Sequence, residues 1–160
     1  MKRILLFIAC ALLVCGSAAM AQSKVDTKWH CPKQTVEHKL DVGDVPDHSY
    51  MILQGACNAT SSDSGFAEKN GDYTEFQEIG KSSINFPGRF NVTMGNGDRV
   101  YYTYEGSAST DTTKPVTQKM KILSGTGKYK GVKGSEICSA KINGDGSSDL
   151  ECTGTYSMDK

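Results

Sequence analysis

Apolar and polar residues alternate along most of the chain from Trp29 onward, with a period of two residues. No stretch sustains the i, i+3, i+4, i+7 apolar spacing of an amphipathic helix. Clusters of Gly, Asn, Asp and Ser separate the alternating runs, and Asn-Gly pairs at 70–71, 96–97 and 143–144 are strong turn signals. This pattern is typical of an all-β protein.

The alternating runs predict about eight strands. They cover residues 27–31, 48–60, 72–83, 89–94, 99–105, 116–122, 135–142 and 148–158, and residues 35–40 are a further short candidate. An antiparallel meander of this length closes into a barrel, which leaves no open sheet edge. The predicted fold is therefore a closed eight-stranded antiparallel β-barrel, with a two-sheet β-sandwich as the alternative. Eight strands leave an interior wide enough for side chains or one small ligand.

The turn near residue 96 sets the register of the clearest hairpin. A two-residue turn at Asn96 and Gly97 would pair apolar Met94 with Arg99. A three-residue loop at 96–98 buries one face, and register follows the buried face. The predicted pairs are Met94 with Val100, Val92 with Tyr102, and Phe90 with Tyr104.

Residues 1–21 resemble an export signal. Lys2 and Arg3 precede an apolar run at 4–14, and Ala19-Met20-Ala21 is a small-x-small cleavage site. The apolar run is too short to span a bilayer comfortably. A lipid anchor on Cys15 is an alternative. We expect cleavage after Ala21, a single β-barrel domain at 22–160, and a secreted or periplasmic protein without a membrane span.

Removal of residues 1–21 lowers the basic count from 18 to 16 against 18 acidic residues, so the mature chain has no basic excess for nucleic acid. Four cysteines remain, and an even number in an exported protein predicts two disulfides rather than a zinc site. A final hairpin centred on Asp145 places Cys138 opposite Cys152. That pairing leaves Cys31 with Cys57 as the second disulfide.

A glycine-rich segment at 125–134 separates two predicted strands. A phosphate-binding loop would need Ser or Thr where Tyr129 stands, and a dinucleotide fingerprint would need Gly where Lys130 stands. No helix signal follows to supply the N-terminus on which such phosphates rest. We interpret the segment as a structural corner, and we expect no cofactor.

The residues of this corner also resemble those of a known family. Met120-Lys121-Ile122-Leu123 leads into Gly125, Gly127, Tyr129, Gly131 and Gly134, followed by a strand hairpin. This arrangement resembles the allene oxide cyclase-type barrels of the calycin-like class, which include plant allene oxide cyclases, dirigent proteins and secreted bacterial relatives. The resemblance covers residues 98–158 and implies an eight-stranded barrel with a central cavity. It implies that an aromatic residue packs under the turn. No catalytic residue of the cyclases matches a position here.

The sequence offers few candidates for chemistry. The three histidines are eight and ten residues apart, which gives no ligand pair, so no metal is expected. Glu75 and Glu78 are the candidate catalytic residues, because in a closed barrel one of them should point inside, near Tyr102 or Tyr104. A carboxyl group in an apolar cavity has a raised pKa and can act as acid or base. The alternative is a strand end where the glutamate reaches solvent.

Three functions remain open on the sequence. The first is the binding of a small hydrophobic or aromatic molecule inside the barrel. Its candidate ligand-binding residues are Met51, Leu53, Phe90, Val92, Tyr102, Tyr104, Met120 and Ile122. The second is a cofactor-free isomerase or cyclase that uses the inward glutamate and a tyrosine. The third is a structural or interaction protein with a filled barrel and an outer face carrying Trp29, Tyr73 and Tyr101. The oligomeric state is left open.

Overall fold

A computed structural model describes residues 22–111 and 113–158 of the chain. The predicted signal peptide at 1–21 lies outside these described residues. The strands are β1 (Ser23–Cys31), β2 (Val36–Asp41), β3 (Ser49–Ser62), β4 (Glu68–Ile79), β5 (Ser83–Met94), β6 (Arg99–Ser109), β7 (Val116–Gly125), β8 (Lys133–Ile142) and β9 (Ser148–Ser157). Within the described ranges, helix is limited to two single 3₁₀ turns, Ser64–Phe66 and Gly127–Tyr129.

The strands form a closed antiparallel barrel. Each strand from β3 to β9 pairs with its neighbour in sequence, and β1 pairs with both β9 and β3. The closed cylinder therefore has eight strands, β1 and β3 to β9. Strand β2 pairs only with the first half of β3 and extends beside the cylinder. The predicted eight-stranded barrel is confirmed, and the sandwich alternative is wrong.

The predicted register of the β5–β6 hairpin is wrong, although the predicted inner face is right. Phe90 lies opposite Tyr102 and Val92 opposite Val100. The loop is 95–97, because the backbone N–H of Met94 donates to the carbonyl of Asp98 and Gly97 takes a left-handed φ of 89°. This geometry is the common three-residue hairpin loop with an αL glycine. The shift is two residues, so the same side chains stay buried.

One of the three turn signals is also wrong. Asn70 and Gly71 lie inside β4, whereas the pairs at 96–97 and 143–144 lie in hairpin turns. Gly71 has a packing role, since a Cβ atom there would lie 2.6 Å from a ring carbon of Phe90. A glycine inside a strand often marks such a close approach.

Both predicted disulfides are present. Cys138 and Cys152 are directly opposite on β8 and β9, and the second bond joins Cys31 on β1 to Cys57 on β3. The second bond therefore ties together the two strands that close the barrel. Two disulfides indicate an oxidising, extracellular type of environment. No helix in the described part of the chain is long and apolar enough to cross a membrane.

The glycine-rich segment forms the corner between β7 and β8. Gly127 and Gly131 take left-handed φ angles of 50° and 79°. Gly125 has no room for a side chain, since a Cβ atom would lie 2.5 Å from the carbonyl oxygen of Tyr129. Tyr129 is buried and packs edge-on against Phe66, which closes this end of the barrel.

Candidate functional site

One half of the barrel interior is open. A cavity of about 370 Å³ lies at the end of the barrel opposite the glycine corner. Its lining is mainly apolar, with Trp29, Tyr73, Phe86, Phe90 and Tyr104 as the aromatic members. A volume of this size falls at the lower end of the range for small-molecule sites, roughly 300–1,000 Å³. The barrel is therefore not filled by side chains throughout.

Small residues in the barrel wall make room for these rings. Three more aromatic side chains lie across a glycine of a paired strand, as Phe90 does across Gly71, and a Cβ atom at any of these glycines would come within 2.7 Å of a ring atom. The pairs are Gly55 with Tyr73, Gly88 with Tyr104, and Gly106 with Phe86. Because the rings lie against the wall, the centre of the barrel stays open.

The eight predicted ligand-binding residues divide between the two halves of the barrel. Those that line the cavity are Met51, Leu53, Phe90, Tyr104 and Met120. The other three, Val92, Tyr102 and Ile122, are buried toward the glycine corner and do not line it. Alternation along a strand indicates which residues point inward, and it does not indicate how deep in the barrel they lie.

The third function predicted an outer aromatic face, and that prediction is wrong for two of its three residues. Trp29 is 3% exposed and packs edge-on against Phe90 inside the barrel. Tyr73 lines the cavity, and only Tyr101 alternates outward on its strand, where it is half-buried.

The two candidate glutamates have opposite environments. Glu75 points into the cavity, where Tyr104 Oη donates to its Oε2 at 3.0 Å and Gln77 Nε2 donates to its Oε1 at 2.6 Å. Burial raises the pKa of Glu75, and the two hydrogen bonds partly offset this rise. Glu78 lies outside, half-exposed, with Oε1 at 3.3 Å from His48 Nε2. Glu75 is therefore the only one of the two that a ligand in the cavity could contact.

A second acidic cluster lies in the filled half of the barrel. Glu68 and Glu136 are 5% and 3% exposed, and Tyr102 Oη lies 2.7 Å from Glu68 Oε1 and 3.0 Å from Glu136 Oε1. Thr27 donates to the other oxygen of Glu68 at 2.6 Å. A phenol has one proton, so Tyr102 donates to one carboxyl and must accept from the other. At least one of the two carboxyl groups therefore carries a proton.

Burial and the nearby charge of Glu68 raise the pKa of Glu136 to about 8. Burial also raises the pKa of Glu68. We assign the shared proton to Glu136, because Glu68 has the two stronger hydrogen-bond donors. Sequence reasoning missed both residues. Glu136 does occupy an inward position of the alternation that contains Cys138 and Ala140, and this was the available signal.

The potential metal-ligand atoms of three residues also lie within 4.8 Å of one another, and these residues are Glu136, Cys138 and Cys152. Both sulfur atoms belong to the Cys138–Cys152 disulfide, so the cluster has no thiolate to offer a metal.

Comparison with known proteins supports the fold. No family model and no curated protein matches the chain. The solved structure of the pterocarpan synthase dirigent protein GePTS1 has a TM-score of 0.53 at 14% identity, covering 96% of this chain and 98% of that one. The pterocarpan synthase dirigent protein PsPTS1 has a TM-score of 0.52 at 13% identity, covering 88% and 97%.

A structure of pyocyanin demethylase has a TM-score of 0.40 at 15% identity, covering 82% of this chain and 99% of that one. The resemblance to dirigent-type barrels is confirmed at the level of the fold, since the chain is similar to two dirigent proteins over 96% and 88% of its length.

Proposed function

We propose that this protein binds a small hydrophobic or aromatic molecule in the barrel cavity. The observation that carries the proposal is the cavity of about 370 Å³, whose wall is mainly aromatic and aliphatic. Pockets for small molecules are mostly apolar, with a few polar groups that orient the ligand. Glu75, Gln77 and Tyr104 supply such groups here.

The proposal includes export. The two disulfides need an oxidising compartment, and the signal at residues 1–21 would deliver the chain there after cleavage behind Ala21. Mass spectrometry of the secreted or periplasmic protein tests this part, with Gln22 expected as the first residue. If the mature chain instead starts at a lipidated Cys15, the lipid anchor is right and cleavage after Ala21 is wrong.

A thermal-shift screen with hydrophobic and aromatic compounds tests ligand binding. Binding to the folded state raises the melting temperature, because the ligand stabilises that state alone. Ala140→Phe places a ring in the cavity and should abolish the shift. Ala56→Phe adds the same ring on the exposed face of β3 and should leave the shift intact. Absence of a shift with every compound class would reject the proposal.

A second candidate is a cofactor-free isomerase or cyclase. The observation in its favour is the hydrogen bond from Tyr104 to the partly buried carboxyl group of Glu75, which lines the cavity. A carboxyl group with a raised pKa next to a cavity suits general acid–base catalysis. Glu75→Gln should abolish turnover while the substrate still binds, whereas Glu105→Gln, an exposed change on β6, should alter neither. Full turnover in Glu75→Gln would exclude this mechanism.

A further inference from the structure

Glu75 is a partly buried acid in the cavity wall, and no ion pair of the described residues gives it a cationic partner. The lysines that border the cavity, Lys33 and Lys114, are exposed at its mouth. Buried carboxyl groups in proteins are normally paired, because an isolated charge in a medium of low dielectric constant is costly.

The neighbours of Glu75 are arranged for its charged form. Gln77 and Tyr104 both donate, and each donates to a different carboxyl oxygen. A carboxylate has about four lone-pair sites, so two remain free to accept hydrogen bonds from a molecule in the cavity. Glu75 therefore has two hydrogen-bond donors, and none of the ion pairs of the described residues supplies it with a positive charge.

The aromatic rings around this carboxyl group favour the same kind of ligand. Trp29, Phe86 and Phe90 line the cavity together with Tyr73. The face of an aromatic ring attracts a cation within about 6 Å of its centre. The same rings also bury the apolar part of a ligand. An apolar molecule with one ammonium group would satisfy both the rings and the carboxylate.

We propose that the cavity selects small aromatic or aliphatic amines in their cationic form, with the ammonium group on Glu75 and the hydrocarbon part among the aromatic rings. This inference rests on the proposed binding function and names its ligand class. The alternative is an acidic ligand, which Lys33 and Lys114 at the mouth of the cavity would favour. However, Glu37 also lies at the cavity and reduces the net positive charge there. Glu75 lies deeper than these lysines, where its charge is screened less by water.

Three probes of similar size separate the alternatives: 2-phenylethylamine, 2-phenylethanol and 3-phenylpropanoate. Their affinities are measured by titration calorimetry at pH 7 on the wild-type protein, Glu75→Gln and Glu105→Gln. We expect the amine to bind wild type at least about tenfold more tightly than the alcohol, which is a modest gain for one buried charge pair. Glu75→Gln should remove this preference and leave the affinity for the alcohol unchanged, and Glu105→Gln should behave as wild type.

The outcomes distinguish the two proposals. Equal affinity of the amine and the alcohol on wild type would overturn the amine inference while the binding function stands. A preference for 3-phenylpropanoate would overturn it in favour of the lysines at the mouth. No binding of any probe, together with no thermal shift in the wider screen, would reject the binding function and the inference with it. The wild-type comparison decides even if Glu75→Gln does not fold.

Discussion

Glu136→Gln tests whether the buried acidic cluster holds a proton in the folded protein. The pKa of Glu136 is raised to about 8 in the fold, against an ordinary value of 4.5. Between these two values the folded protein binds one proton more than the unfolded chain. The free energy of unfolding therefore falls as the pH rises, by about 1.4 kcal/mol per pH unit for this group. The stabilisation is fully present below the unfolded pKa and is lost as the pH rises through the folded pKa.

The assay is denaturant unfolding at pH 5.5, 6.5 and 7.5 with both disulfides oxidised. Over these two units Glu136 alone should lower the stability of wild type by about 3 kcal/mol. Glu68 and Glu75 also have raised pKa values, and so does His48, whose carboxylate neighbours favour its charged form. All three act in the same direction, so the informative quantity is the difference between variants.

Glu136→Gln cannot lose a proton, so its stability profile should be shallower than that of wild type by about 1.4 kcal/mol per pH unit. Glu105→Gln changes the same charge on the exposed face of β6 and should keep the wild-type slope. Parallel profiles for wild type and Glu136→Gln would refute the shared proton. A wild-type stability that rises with pH through this window would refute the direction of the argument.

Three further changes test the packing of the barrel. Tyr102→Phe should lower the unfolding free energy by about 3 kcal/mol, measured with denaturant, because it removes the hydroxyl between two buried carboxyl groups; a loss below about 1 kcal/mol would mean that water replaces it. Cys138→Ala with Cys152→Ala should cost about 3 kcal/mol from the entropy of a loop with a sequence separation of 14, and an unchanged melting temperature would contradict this. Gly131→Ala should lower the unfolding free energy by about 1–2 kcal/mol, because Gly131 has a positive φ. Gly144→Ala should change it little, since there is open space around Gly144. Equal effects of the two changes would argue against backbone strain at Gly131.

The sequence was sufficient to predict the architecture and the covalent links. Alternation with a period of two residues requires one buried and one exposed face, and antiparallel strands joined by short turns close into a barrel. The register of the last hairpin was predicted to the residue, because centring it on Asp145 brings Ala140 opposite Leu150 and Cys138 opposite Cys152. In this hairpin the alternation of apolar residues and the position of the turn lead to the same strand pairing, so the pairing can be predicted from one sequence.

The sequence was not sufficient to predict how deep in the barrel each inward residue lies, or which polar side chains are hydrogen-bonded there. Val92 and Tyr102 alternate inward as Phe90 and Tyr104 do, yet only the latter two line the cavity. Depth depends on the stagger between strands around the whole barrel, which no single strand specifies. The predicted strands left out residues 61–71, and Asn70-Gly71 resembled a turn. The structure instead begins β4 at Glu68, and Gly71 accommodates an aromatic ring from the neighbouring strand.

Tyr102 and Tyr104 show why we place the proposed binding function at one end of the barrel. They are two residues apart on the same inner face of β6. Tyr102 donates to the buried Glu68, and Tyr104 donates to the partly buried Glu75. Tyr102 is fully buried outside the cavity, and its hydroxyl group is hydrogen-bonded to both Glu68 and Glu136. Around Tyr104 the carboxyl group keeps free lone pairs and faces an open cavity. A hydrogen-bond network without free donors or acceptors stabilises the fold but cannot bind a ligand. A network that keeps free acceptors beside a cavity is stabilised when a ligand donates to them. Substitutions at the cavity end should therefore change ligand affinity, and substitutions at the end with the glycine corner should change stability.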